Sequence, residues 1–279
     1  MNFSYKTIFS VAISALTTVA VISCKDTEYP TPVPATVATT LTSKVLFINA
    51  APSTTLNFFA SNVPAGTGVA LGGSTANNVV PVGPLQVRAK GASGNIGGVL
   101  GSADILFRAG ATNNNNFITA SNTNYTFFVT DTLNRPIPTT PAGATDPGGP
   151  RFLSVVDNLA APAAGNSHIR FFHLAPNAPA VWVNVLRTGV TAPIASFTNR
   201  AYRAVSTGTG ATLVNFFAFT PLAAGTYNIE VRTGSATGPV AFTVPSVALA
   251  DGKIYTIFAR GLLRGTGANA LGASIATHN

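Results

Sequence analysis

A single cysteine, Cys24, in 279 residues excludes any structural disulfide and any thiolate metal cluster. Acidic side chains are scarce as well, eight Asp and Glu in all. A glycosidase needs two carboxyl groups flanking one bond, yet beyond residue 158 only Glu230 and Asp251 occur. Glu230 falls mid-strand in an alternating run. Asp251 falls in an Asp-Gly turn, where its side chain is expected to cap the local backbone. Asp104, Asp131, Asp146 and Asp157 are scattered among strand ends and loops, without the dense spacing of a calcium loop. Of the three histidines, His168 and His173 are five apart on one strand and so face opposite sides. His173 reads as a strand-end group bonding to the turn that follows it, and His278 as part of a frayed end. No Gly-x-Ser-x-Gly elbow is present, and the glycine-rich runs at 208–210 and 261–267 precede no helix that could receive a phosphate. These absences predict no enzyme, with no catalytic residue, metal ligand or cofactor.

Charge is also sparse, at 9% of residues with a net +8. The excess sits in the second half, where eight Lys and Arg face only Glu230 and Asp251. Its arginines (170, 187, 200, 203, 232, 260 and 264) are dispersed rather than gathered on one face, so a nucleic-acid partner is not expected. Solvated outward positions account for them most simply. Attraction to anionic lipopolysaccharide or acidic glycans is the functional alternative.

The first residues read as a targeting segment. Lys6 precedes an apolar run, Ile8 to Ile22, of about 15 residues, short of the roughly 20 that span a bilayer. Val21-Ile22-Ser23-Cys24 then resembles a bacterial lipobox, which implies lipidation at Cys24 and a durable membrane anchor. Residues 24–42, rich in Pro and Thr without hydrophobic periodicity, read as a disordered tether. Asp26 and Glu28 resemble the surface-export signal of Bacteroidota lipoproteins. The segment divides as 1–23 lipoprotein signal peptide and 24–42 tether.

What remains shows short β-branched and aromatic runs separated by Gly, Pro, Asn and Ser, with no capped helical pattern. Two stretches echo each other: SKVLFINAAPSTTLNFF from Ser43 and SHIRFFHLAPNAPAVWVNV from Ser167. Val45, Phe47 and Asn49 match Ile169, Phe171 and His173 as the core face of a strand that an Ala-Pro turn ends. Lys44, Leu46 and Ile48 match His168, Arg170 and Phe172 on the other face. Gln86-Val87-Arg88 echoes Glu230-Val231-Arg232, and Asn124–Phe128 echoes Lys253–Phe258. Tyr255, and Tyr125 as its partner, resemble the tyrosine corner of immunoglobulin-like domains. The expected fold is all-β: two tandem immunoglobulin-like β-sandwich domains, 43–159 (a degenerate copy) and 167–279, with 160–166 as linker. Arg151–Leu159 is read as the last strand of the first. The Pro/Gly-rich loop Asn134–Pro150 and the run Asn113–Asn116 are read as surface loops.

The motifs FLSVVDNLAAPAAGNSHIRFFHLAPNAPAVWVNV, LAAGTYNIEVR and LADGKIYTIFARGLL resemble the family of envelope proteins known as domain of unknown function 4397. The resemblance implies a Bacteroidota-type lipoprotein and brings no activity or ligand with it. A non-catalytic, lipid-anchored binding or adhesion module of the outer membrane, facing the periplasm or the cell surface, is the function expected. A purely structural scaffold is the alternative, and a glycan-active hydrolase a distant third. The expected partners are the membrane, through the lipid on Cys24, and a glycan or an envelope protein. The candidate ligand contacts are Trp182, the only tryptophan, with Arg170 and Asn184. The competing reading of Trp182 is packing against the other sheet face or in the seam between domains. Incorporation of a fatty-acid probe is expected in cells expressing the protein and is expected to vanish in Cys24→Ala; labelling that persists in the variant contradicts the anchor.

Overall fold

The computed structural model describes residues 41–92, 104–107, 116–137 and 148–279. Cys24, the leader, the tether up to residue 40, Asn113–Asn115 and the middle of the Pro/Gly-rich loop lie outside them, while Thr42, read as the end of the tether, and Asn116, read as a loop residue, each begin a strand. The fold is all-β. The first half comprises β1 (Thr42–Asn49), β2 (Leu56–Ala60), β3 (Val63–Val69), β4 (Asn78–Pro81), β5 (Gly83–Gly91), β6 (Asp104–Leu106), β7 (Asn116–Thr119), β8 (Asn124–Thr130) and β9 (Arg151–Asp157). Its two sheets run β4-β1-β8-β9 and β3-β2-β5-β6, with β7 also on β5. The second half comprises β10 (Asn166–His173), β11 (Val181–Arg187), β12 (Ala195–Arg200), β13 (Ser206–Thr207), β14 (Val214–Asn215), β15 (Thr220–Ala223), β16 (Gly225–Thr233), β17 (Val240–Leu249), β18 (Ile254–Arg260) and β19 (Gly272–Thr277). It repeats the plan as β15-β10-β18-β19 and β12-β11-β16-β17. In both halves the opening strand pairs in parallel with the strand that carries the Tyr, β1 with β8 and β10 with β18.

Strand alternation explains each sandwich. Val45, Phe47, Leu56, Phe58, Val87 and Phe127 point inward in the first, where Phe47 stacks on Phe58 at 5.1 Å and on Phe127 at 5.6 Å. Ile169, Phe171, Val183, Val185, Ile229 and Ile257 fill the second. The other face of β1 and β10 is not outward, contrary to a simple inside-outside alternation. Leu46, Ile48, Phe128 and Val155 meet Phe172, Leu174, Phe258 and Ala276 in a third apolar core. Both faces of β1 and β10 are therefore buried, which is why Val45–Ile48 runs apolar without alternation and Phe171 and Phe172 stand side by side. Phe128 sits 5.4 Å from Phe172 and 5.9 Å from Phe258. Residues Thr40–Asn279 thereby form one compact unit. Close approach is needed at this seam: a Cβ on Gly72, which has φ +84, would lie 2.2 Å from Ser274 Oγ.

The turns are pinned by the residues that close each strand. Asn49 Oδ1 accepts from Ala51 N, while its Nδ2 donates to the carbonyls of Thr54 and Val69. His173 performs the same task with a ring: Nδ1 accepts from Ala175 N, and Nε2 lies 2.9 Å from the Pro179 carbonyl. Tyr125 and Tyr255 each accept, through the hydroxyl, from the amide five residues upstream at 3.1 Å. The register corrects one sequence equivalence. Leu56 pairs with Gly91 and Val181 with Thr233, so Val87 corresponds to Ile229 and Ala89 to Val231. A shift of two residues leaves every side chain on the same face, so the two alternatives look alike in sequence.

Truncation of Phe128 removes the ring shared by both halves. Phe128→Ala is expected to destabilise the whole unit by about 3–5 kcal/mol, in one transition followed by both tyrosine and tryptophan signals. Two separated transitions in the wild type would contradict a shared core.

Candidate functional site

The three candidate contacts do not converge. Trp182 and Asn184 lie on the outer face of the β12-β11-β16-β17 sheet, because Val181, Val183 and Val185 take the inner face. Trp182 is half-buried and directly opposite Arg232, whose guanidinium is paired with Glu230 at 2.5 Å. Residues paired across two strands stand on the same face, so the indole shares its face of the sheet with the Arg232–Glu230 ion pair, and the three side chains make one platform. Asn184 is almost covered, at 5% exposure. Its Nδ2 donates to the Ala236 carbonyl, and its Oδ1 accepts from Ser196 Oγ. Asn184 therefore holds the β16–β17 loop beside the platform, with both polar atoms engaged inside the protein. Sequence reasoning missed Arg232 and Glu230 as its neighbours; their adjacency follows only from the register of β11 on β16.

Arg170 is a correction. It is fully buried and faces the seam, where its NH2 is 2.5 Å from Asp157 Oδ1. Its guanidinium also stacks over Phe172 at 5.2 Å and Phe219 at 4.4 Å. Burial pulls its pKa below the usual value, and Asp157 opposes that shift. No external ligand reaches it in the closed fold. Around this pair Asp157 Oδ2 accepts from Thr126 Oγ1 at 2.7 Å, and Arg170 Nε donates to Thr256 Oγ1 at 2.8 Å. Thr256 Oγ1 is in turn 2.7 Å from His278 Nε2. The hydroxyl proton of Thr256 is best used toward that nitrogen, which places the neutral ring's proton on Nδ1, facing Asp157 Oδ2 at 3.8 Å. His278 is thus not frayed but 2% exposed, with its amide on the Ile254 carbonyl and its carbonyl accepting from Asn77. Burial, reinforced by the Arg170 charge and opposed by Asp157, pushes its pKa down to about 4.

The basic excess is also less available than its count suggests. Besides Arg170, Arg200 is 7% exposed and lies over the Phe216 ring at 3.4 Å, and burial lowers it to about 10. Arg203 donates to the Phe152 carbonyl across the seam and is likewise lowered by burial to about 10. Asp251 does not cap its own turn; its carboxylate accepts from Gly165 N at 2.8 Å and ties the β9–β10 connection to the β17–β18 turn. Among the described residues no three His, Cys, Asp or Glu are grouped to hold a metal.

Comparison with known families follows the strand plan. The family described as domain of unknown function (DUF4397) matches residues 43–184, half of the chain. The chain belongs to this family. The DUF4397 match runs from β1 to the middle of β11, crossing the connection between the sandwiches. No curated protein matches the sequence. Among solved structures, a leucine-rich repeat protein from Bacteroides thetaiotaomicron VPI-5482 is similar at 14% identity and a TM-score of 0.18. That similarity covers 80% of this chain and only 26% of the other.

Two outcomes follow from the seam. Asp157→Ala, which strands the Arg170 charge, is expected to cost about 3–5 kcal/mol, whereas Asp157→Leu with Arg170→Met is expected to recover most of it. In folded protein His278 resists protonation that the unfolded chain accepts below 6.5, so stability falls as pH drops from about 6.5 toward 4. That contribution is about 3 kcal/mol, and His278→Gln is expected to flatten the slope in that window when denaturation is followed against pH.

Proposed function

We propose that this protein is a non-catalytic binding module of the bacterial cell envelope. In this reading it is anchored in the outer membrane by lipid on Cys24, with two DUF4397 copies at 43–159 and 167–279 built as immunoglobulin-like sandwiches. Its outer face presents Trp182 to a glycan or to an envelope protein. The observation that carries the reading is the partly exposed indole on the same face as the Arg232–Glu230 pair. An aromatic ring stacks on the apolar face of a sugar, while a guanidinium and a carboxylate hydrogen-bond its hydroxyls. Arg170 takes no part in it. A Bacteroidota-type origin and an outer-membrane position, periplasmic or surface-facing, belong to the same proposal and rest on residues 21–28.

A structural scaffold is the second reading, favoured by the apolar seam that joins the sandwiches. Glycan-array and whole-cell binding of the intact protein and of Trp182→Ala separate the two. Binding that weakens tenfold or more in the variant, whose folding is checked by its melting curve, supports the platform. Equal binding by both proteins, or no binding by the wild type, favours the scaffold.

A further inference from the structure

The second sandwich has an opening at one end that the outer-face reading does not use. Between its sheets, beneath the Ala-Pro turn, lies a cavity of about 200 Å³. Its walls are Val181, Val231, Phe242, Ala259, Leu263 and Leu271, with Pro179 at the rim. His173 and Thr233 are the polar residues among those that line it. The His173 ring is already committed, accepting from Ala175 N and donating from Nε2 to the Pro179 carbonyl. Burial also holds the ring below the ordinary histidine pKa, hence uncharged at neutral pH.

We propose that this cavity is a binding site for a small, uncharged aromatic or branched-hydrocarbon molecule. Three observations fix that chemistry. The imidazole has no unused hydrogen-bonding nitrogen to offer, so Thr233 is left as the one polar side chain in the lining, and a buried water needs about two to four polar partners. A charged group would be desolvated there without compensation. The volume also sets the size, since a cavity of about 150 Å³ with an aliphatic and aromatic lining takes benzene, so this one suits a single substituted ring. The repeat shows where the space comes from. Ala259 occupies the register position of Val129, opposite His173 and Asn49 respectively. Val181 occupies that of Leu56. The facing strand runs the other way, Val231 and Thr233 replacing Ala89 and Gly91, so the room opens on the Ala259 side.

The test is a methyl-detected NMR titration of the folded protein with toluene, and with benzoate as the charged control. Saturable shifts at Val181, Val231, Leu263 and Leu271 with toluene, and none with benzoate, are expected. Ala259→Val combined with Val181→Leu restores the first repeat's side chains and is expected to weaken toluene binding at least tenfold while keeping the melting temperature. Ala259→Val alone serves if the pair does not fold. No saturable shift in the wild type, an equal response to benzoate, or unchanged toluene affinity in the filled variant would each overturn the proposal.

Discussion

Everything in this fold depends on the dry seam between the sheets that carry β1-β8-β9 and β10-β18-β19. Phe128, Phe172 and Phe258 are each 0% exposed there. At roughly 1.5–3 kcal/mol per fully buried aromatic side chain, the three rings supply the main attraction. The Asp157–Arg170 pair at 2.5 Å adds little by comparison, because desolvating two ions offsets most of their mutual attraction. Its effect is on alignment. Sliding one sheet past the other by a strand would leave a full charge in an apolar interface, so the pair disfavours every docking but this one. Apolar burial therefore drives the association, and the ion pair sets its register.

The seam is built from equivalent positions that have diverged. Thr126 and Thr256 match, as do Asp157 and His278, each paired opposite the residue that begins β8 or β18 or its extension. Each threonine hydroxyl engages its own half's polar partner, Thr126 with Asp157 and Thr256 with His278. Arg170 stands where the first half has Leu46, and its hydrogen bonds to Thr256 and Asp157 join one network to the other. One substitution relative to the repeat thus links two local hydrogen-bond pairs into one chain. The cores diverged too, the first filled by stacked phenylalanines and the second mainly by valine and isoleucine.

Much of this was legible from residue order alone. Alternation in SKVLFIN and SHIRFFH placed Phe47 and Phe171 inward, and the Ala-Pro turns marked where β1 and β10 stop. His173 bonds to its following turn, as expected of a strand-end polar group. The seam was not legible, because a strand buried on both faces differs from one with an outward apolar face only in what packs against it. Leu46 and Phe172 look the same either way. Arg170 misled for that reason: a basic residue among aromatics suggests a surface contact, whereas its partner Asp157 lies on the other sandwich. His278 was hidden by its place beyond the last strand, where only the pairing of β19 with β18 shows it to be held. The Trp182 face was half legible. Alternation sets the indole outward, but Arg232 becomes its neighbour only through the register of β16.

The division of labour is consistent. Residues common to both halves make the sandwiches, and residues on β1 and β10 fuse them. The most direct measurement of the fused body is native-state hydrogen exchange under increasing denaturant. The seam predicts that the most protected amides of β1, β8, β10 and β18 open together, with one free energy equal to that of global unfolding. Amides of one sandwich exchanging through a separate opening of lower free energy, while the other stays protected, would contradict it.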